Sequence, residues 1–219
     1  MGSPDGILEF VRQVALWAVP LLAAVILHEV SHGFVALRLG DDTALRMGRL
    51  TLNPLPHIDP VGTVLLPGFL LFVGSPFLFG YARPVPVDYR RLRDPRRDMV
   101  LVALAGPLTN VTLALASAVL LRLLADLDGA PLGTGALGPL AHVALYSVVI
   151  NVVLAVFNLL PIPPLDGGRV LTGLLPVAYG RLVASVEPFG FLIVVALLVT
   201  DSLRVVVGAP VRLLLGVLL

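Results

Sequence analysis

The chain contains no cysteine and no lysine, so all of its 15 basic residues are arginine. The absence of cysteine excludes disulfides and thiolate metal ligands, so any metal must be held by histidine and carboxylate. Charged residues are also scarce, at 13% of 219 residues with a net charge of +1. Because a nucleic-acid-binding surface needs a clear excess of basic charge, we expect no nucleic-acid partner.

Apolar residues dominate what remains. They make up 58% of the chain, and the mean hydropathy is +0.98, whereas soluble domains are about 45–50% apolar. We predict an all-α polytopic membrane protein embedded in the lipid bilayer. Residues 1–219 are expected to form a single domain, a helical bundle of about 4–6 membrane segments.

Four apolar stretches predict membrane-crossing helices, at about residues 7–39, 99–121, 139–160 and 182–200. Each can cross about 30 Å of hydrocarbon at 1.5 Å per residue.

Two further stretches have other patterns. Residues 61–80 are apolar but interrupted by prolines and glycines, which predicts a re-entrant segment rather than a crossing. Alternating residues near 45–52 predict a small β element.

Within the first apolar stretch, residues 28–32 read His-Glu-Val-Ser-His. Residues four apart lie on one face of a helix, so His28 and His32 can bind the same metal ion, with Glu29 beside it as general base. Ionisable groups at the centre of a membrane helix each cost about 2.5–3.5 kcal/mol, a cost that a metal and a water-filled pocket would offset. The motif therefore predicts a metal-dependent hydrolytic site.

A catalytic zinc site needs a third protein ligand. Glu29, Glu187 and Asp166 are the carboxylates with mainly apolar sequence on both sides. Asp166 follows a proline-rich break at the end of a predicted membrane helix and precedes two glycines, so we predict it as the third ligand. His142 lies near the other end of that helix, roughly 30 Å away along the axis, and is predicted not to be a ligand.

Three motifs occur in order: H-E-V-S-H at 28–32, A-G-P-L-T-N at 105–110 and N-L-L-P-I-P-P-L-D-G-G at 158–168. With them the chain resembles the site-2 protease family of intramembrane zinc metalloproteases, as a minimal, core-only member without PDZ or CBS domains. The resemblance implies a zinc cofactor held by His28, His32 and Asp166. It also implies Glu29 as the catalytic acid/base and a catalytic Asn158 beside the metal. It also implies substrates that are membrane-spanning segments of other proteins, in a bacterial or archaeal cell membrane.

The expected chemistry follows from these residues. Zinc would polarise the scissile carbonyl and lower the pKa of its water toward about 7, and Glu29 would take the water proton and pass it to the leaving amine. Either Asn158 or Asn110 could stabilise the oxyanion. An unwound substrate could pair with the edge of the predicted strand near residues 45–52.

Topology is predicted from the same ligands. They lie toward or beyond the C-terminal ends of the first and third predicted membrane helices, so these two helices must run in the same direction. Residues 99–121 reverse the chain once, so residues 61–80 must enter and leave the membrane on one side. Six arginines between residues 81 and 98 place that side in the cytoplasm. The N-terminus would then be extracytoplasmic and the zinc nearer the cytoplasm.

Two other functional classes remain open. A membrane metal transporter also buries histidine and aspartate in its helices, but it would need no general base such as Glu29. A catalytically silent protein that binds other membrane proteins could keep the fold, but it would not need an intact H-E-x-x-H motif. The role of His57 and the oligomeric state are not determined by the sequence.

Overall fold

The computed structural model describes residues 4–65, 68–69, 72, 80–128 and 135–219. Within these residues, four helical segments are long and apolar enough to cross a membrane: α1, α3, α4 and the pair α6–α7. In chain order, the helices are α1 (Pro4–Arg38), α2 (Thr43–Arg46), α3 (Pro95–Asp128), α4 (Gly138–Asn158), α5 (Asp166–Leu174), α6 (Val177–Ser185), α7 (Gly190–Val199) and α8 (Ser202–Leu218). Short 3-10 turns occupy Leu55–His57, Tyr89–Arg91 and Glu187–Phe189, and Pro60–Leu65 forms a π-helical turn.

Helices α1 and α4 lie side by side and run in the same direction, as predicted. Near their N-terminal halves, Trp17 of α1 stacks on Tyr146 of α4 with ring centroids 4.3 Å apart. Further along, His28 of α1 lies 3.2 Å from Asp166, which follows the end of α4. The ligand-bearing ends of both helices therefore meet on one side of the bundle.

The connection between α1 and α3 leaves the end of α1 and returns to it. Arg93 N donates to Leu39 O at 3.1 Å. The buried carboxylate of Asp41 accepts hydrogen bonds from the backbone N–H groups of Thr43 and Asp88, at 3.0 and 2.7 Å. Helix α3 therefore starts where α1 ends and runs antiparallel to it.

The two ends of the apolar stretch 61–80 also lie next to each other. Tyr81 N donates to Gly62 O at 3.0 Å, and Thr63 Oγ1 donates to Tyr81 O at 2.9 Å. Residues 66–67, 70–71 and 73–79 lie outside the described residues. The entry of this stretch into the membrane therefore stays a prediction.

The small β element predicted near residues 45–52 is wrong. This part of the chain forms the helical turn α2 followed by bends, and no strand occurs among the residues that the structure describes. Gly48 has a φ of +64°, so the chain reverses there and alternate residues no longer share the face of a strand. Ala44 and Arg49 are buried while Leu45 and Met47 are exposed. The alternation in the sequence therefore does not correspond to one buried and one exposed face, since Leu45, Met47 and Leu52 are all exposed.

Small side chains allow α3 and α4 to pack closely, which suits helices in lipid because close backbone approach maximises van der Waals contact. Ala114 and Ala118 of α3 meet Val148 and Val152 of α4. Helix α8 covers this cluster with its apolar side chains Val211, Leu215 and Leu218.

Candidate active site

The three predicted zinc ligands lie together in the fold. His28 Nε2 is 3.0 Å from His32 Nε2, and these two atoms lie 3.2 and 3.3 Å from Asp166 Oδ2. Helix α1 supplies both histidines from consecutive turns, and Asp166 is the first residue of α5. All three side chains are buried. Among the described residues, they form the one group of three such side chains close enough to hold a metal ion.

Hydrogen bonds behind the two rings turn the ligand atoms inward. His28 Nδ1 donates to Asn110 Oδ1 at 2.6 Å, and His32 Nδ1 donates to Val102 O at 2.7 Å. Each neutral imidazole then presents the lone pair of its Nε2 to the centre of the group. Asp166 Oδ2 is buried and accepts no hydrogen bond.

Three lone pairs so close together repel one another unless a cation lies between them. A tetrahedral zinc ion with bonds of about 2.0–2.1 Å holds its ligand atoms about 3.3 Å apart, and the three separations here are 3.0, 3.2 and 3.3 Å. Two imidazoles and a carboxylate are also a donor set that catalytic zinc uses. The residues therefore fit a zinc ion.

Gly106 of α3 leaves open the space toward which the histidines point. A Cβ at this position would lie 2.4 Å from His32 Nε2 and 2.6 Å from His28 Nε2. Sequence reasoning missed this role of Gly106. The one signal for it in the sequence was the glycine–proline pair at residues 106–107 inside an apolar helix.

Glu29, the predicted general base, lines the same cavity as the three ligands. The backbone N–H of Val85 donates to Glu29 Oε2 at 2.8 Å. Among the described residues, this hydrogen bond from Val85 holds the Glu29 carboxylate. The other carboxylate oxygen, Oε1, remains available to accept a proton. Sequence reasoning missed Val85, because a backbone donor carries no side-chain signature.

Val85 belongs to residues 80–88, a segment without regular secondary structure that contacts α1 at Glu29 and Gly33. Arg49 Nη2 donates to the carbonyls of Arg83 and Pro84, at 2.7 and 3.2 Å. Gly33, one turn after Glu29 in α1, permits the close approach, because a Cβ there would lie 2.7 Å from Val85 Cγ1.

A cavity of about 450 Å³ encloses the site. Asn158 lines it, with its Nδ2 donating to Leu154 O at 3.0 Å. Asn110 contacts the His28 ring and Asn151 instead, so of the two asparagines Asn158 is the one that lines the cavity. Most other lining side chains are apolar, among them Val25, Val102, Phe157, Leu165, Phe191 and Val194.

The cavity also has a polar part, formed by Tyr89 and Arg169. The Arg169 guanidinium carbon lies 5.8 Å from the centre of the Tyr89 ring, and its Nη2 is 3.7 Å from Glu187 Oε1. Burial raises the pKa of Tyr89, so its phenol is a neutral hydroxyl at physiological pH.

The other two histidines lie elsewhere. His142 Nδ1 donates to Gly138 O at 2.8 Å within the first turn of α4. His57 is buried in the connection between α1 and α3, where its Nε2 lies 2.9 Å from Thr51 O and its carbonyl accepts the N–H of Arg83. His57 therefore contributes to holding the segment 80–88 in place.

Comparison with known proteins identifies related zinc metalloproteases. The model of the family described as "Peptidase family M50" matches residues 129–200, which include Asp166. The chain is 40% identical over 182 residues to "Putative zinc metalloprotease YwhC" of Bacillus subtilis, covering 83% of this chain and 79% of that protein. It is 34% identical over 200 residues to "Putative zinc metalloprotease Rip2" of Mycolicibacterium smegmatis, covering 89% and 69% respectively.

A more distant similarity extends to an archaeon. "Zinc metalloprotease MJ0392" of Methanocaldococcus jannaschii is 23% identical over 180 residues, covering 80% of this chain and 40% of that protein. No solved structure gives a significant match. The coverage and identity of the bacterial relatives show that the chain belongs to peptidase family M50, the site-2 protease family, as a multi-pass membrane zinc metalloprotease.

Proposed function

We propose that the protein is an intramembrane endopeptidase that cleaves membrane-spanning segments of other proteins. His28, His32 and Asp166 would hold the zinc, and Glu29 would be the catalytic acid/base. The observation that supports this best is that the three ligand atoms lie 3.0 to 3.3 Å apart. Two of these ligands and Glu29 belong to α1, a candidate membrane helix.

The chemistry rests on the carboxylate of Glu29. When bound, zinc supplies Lewis acidity that polarises the scissile carbonyl and makes a water more acidic. Glu29 Oε1 accepts the proton of the attacking water while the N–H of Val85 holds Oε2. Glu29 then donates this proton to the leaving amide nitrogen, so that hydrolysis yields a carboxylate and an amine. Asn158 Nδ2 donates to the oxygen of the scissile carbonyl as its negative charge develops.

The cavity favours an apolar substrate in an extended conformation. Its walls are mainly apolar, so they match the side chains of a membrane segment. A helical peptide bond is shielded by its own hydrogen bonds, so the substrate must unwind before its carbonyl can reach Glu29 and Asn158.

The decisive experiment measures cleavage of a labelled membrane-spanning peptide by wild type and Glu29→Gln. Glutamine has nearly the same shape but cannot accept the water proton, so we expect the variant to bind zinc without cleaving. A metal transporter would keep its transport activity in Glu29→Gln. A silent binder would bind the peptide without cleavage even as wild type.

We also propose that the protein lies in the cell membrane of a bacterium or archaeon, with the zinc nearer the cytoplasm. The relatives come from bacteria and an archaeon. Six arginines lie between residues 81 and 98, in the connection that returns to the ligand-bearing end of α1 and in the first turn of α3. An excess of arginine marks the cytoplasmic side of a membrane protein.

A further inference from the structure

A chain of buried polar side chains runs from His28 away from the metal site and across three helices. His28 Nδ1 donates to Asn110 Oδ1 of α3 at 2.6 Å, and Asn110 Nδ2 donates to Asn151 Oδ1 of α4 at 2.8 Å. Asn151 Nδ2 donates to the backbone carbonyl of Ser147 at 2.8 Å. Both asparagines are at most 1% exposed, so bulk water does not contact either amide.

The donor-to-acceptor direction of these hydrogen bonds is determined by Ser147 O, the acceptor farthest from His28. A backbone carbonyl can only accept a hydrogen bond, so Asn151 must turn its Nδ2 toward Ser147 and its Oδ1 toward Asn110. Asn110 must then turn its Nδ2 toward Asn151, which leaves its Oδ1 facing His28. His28 Nδ1 must therefore carry the hydrogen, and the lone pair of Nε2 faces the metal site.

The reverse direction is unfavourable at two places. Flipping both amides would bring Asn151 Oδ1 within about 2.8 Å of Ser147 O, so that two acceptors would face each other without a hydrogen between them. It would also turn an acceptor of Asn110 toward the carbonyl of Ala24, which now lies 3.4 Å from Asn110 Nδ2. In membrane interior such unpaired groups cost several kcal/mol each.

We propose that Asn151 is a positioning residue that acts through Asn110 to hold His28 with its Nε2 lone pair toward the zinc. The proposal rests on the proposed role of His28 as a ligand. His32 needs no such chain, because its Nδ1 donates directly to the backbone carbonyl of Val102. Partners of this kind behind a metal ligand typically contribute about 10–100-fold to metal affinity.

The experiment measures zinc affinity of the purified full-length protein by competition with a chromophoric chelator. Asn151→Leu keeps the approximate size of the side chain but removes the acceptor for Asn110, so we expect zinc binding to weaken about tenfold. The carboxyl of Asn151→Asp is neutral when buried in the membrane, so it keeps an oxygen that accepts from Asn110 Nδ2 and gains a hydroxyl that donates to Ser147 O, and its zinc affinity should stay close to wild type. Equal loss in both variants would overturn the proposal, because the acceptor would then not be the cause.

Ser117→Ala is the matched control. It removes another hydrogen bond between α3 and α4, from Ser117 Oγ to Ser147 Oγ at 2.8 Å, but leaves the chain to His28 intact. Its zinc affinity should equal that of wild type, and a loss as large as in Asn151→Leu would show general loosening of the bundle and overturn the proposal. If Asn151→Leu does not fold, as judged by its thermal unfolding, Asn151→Ala removes the same acceptor without bulk.

A double-mutant cycle tests whether Asn151 acts through Asn110. In an Asn110→Ala background the link to His28 is already broken, so adding Asn151→Leu should cause no further loss of zinc affinity. Additive losses would contradict the proposal. If wild type itself binds no zinc, the proposed metal site fails, whereas normal zinc binding by Asn151→Leu refutes the positioning role alone.

Discussion

At the scale of single residues, Gly106 lies where any larger residue would meet the zinc ligands. In Gly106→Ala, the added methyl group would lie 2.4 and 2.6 Å from the two histidine Nε2 atoms. We expect this variant to lose most of its zinc, which metal analysis of the purified protein would measure. Gly216→Ala in α8 is the matched control, since no atom lies within 4 Å of a Cβ there, and it should retain zinc. Full zinc occupancy in Gly106→Ala would contradict the geometry.

Asp166 supports a second prediction at this scale. It is the one carboxylate in the ligand group, and replacing it with alanine leaves two ligands where catalytic zinc needs three. Asp166→Ala should therefore lose both zinc and peptidase activity. A variant that kept both would remove Asp166 from the site.

The cluster of proposed ligands could be predicted from the sequence because its chemistry is visible in side-chain types. His28 and His32 have helical spacing, and an isolated carboxylate such as Asp166 is rare beside apolar residues. The two asparagines could not be separated in this way, since an amide can serve a substrate or a histidine equally well. Only the three-dimensional arrangement places Asn158 in the cavity and Asn110 behind a ring.

At the scale of elements, the segment 80–88 and α1 depend on Gly33 for their contact. An alanine here would lie 2.7 Å from Val85 Cγ1 and 2.6 Å from Leu50 Cδ2, so the segment would have to shift and the N–H of Val85 would leave Glu29. We expect Gly33→Ala to cleave at least about tenfold more slowly, since a misplacement of 1 Å can cost about 10²-fold.

The zinc content separates this effect from damage to the metal site. The Gly33→Ala variant should still bind one zinc, because the two histidine rings are held by Asn110 and Val102 O, which lie in α3 and not in the displaced segment. Wild-type turnover in Gly33→Ala would show that the contact between Val85 and Glu29 is dispensable.

Asp41 supports a prediction about the connection between α1 and α3. Burial raises the pKa of Asp41, but hydrogen bonds from Thr43 and from the N–H of Asp88 lower it more, so its pKa lies below the usual range. The charged form therefore stabilises the fold fully above pH 3.8, the reference pKa, and this stabilisation is lost as the pH falls further. Asp41→Asn should reduce the free energy of unfolding by about 1–3 kcal/mol, measured at neutral pH. An unchanged thermal unfolding temperature would contradict this role.

The long helices could be predicted well, whereas the connection could not. A membrane helix such as α4 satisfies its own backbone, so its apolar run is sufficient to indicate it. The path of residues 43–60 instead depends on partners distant in sequence, such as the bonds from Arg49 to residues 83 and 84. Local alternation near Leu45 and Met47 carries no information about those partners, so it wrongly predicts a strand.

At the scale of the whole molecule, the parallel course of α1 and α4 can be tested by labelling. The natural chain has no cysteine, so single cysteines can be introduced at exposed positions. Leu45→Cys and Arg90→Cys should react with a membrane-impermeant reagent from the same side. Leu127→Cys, at the far end of α3, should react from the other side.

Labelling of Leu45→Cys and Arg90→Cys from opposite sides would refute this arrangement. Their common side would also test the cytoplasmic assignment, since intact cells should protect both cysteines and inverted vesicles should expose them. Labelling in intact cells would place the zinc nearer the outer surface instead.

The stacking of Trp17 on Tyr146 has an optical consequence. Trp17 is the single tryptophan of the chain, so the intrinsic tryptophan fluorescence originates entirely at the contact between α1 and α4. Trp17 precedes His28 by eleven residues, about 16 Å along the helix. Any rearrangement that separates these two helices, such as the admission of a substrate between them, would change the emission without an attached dye.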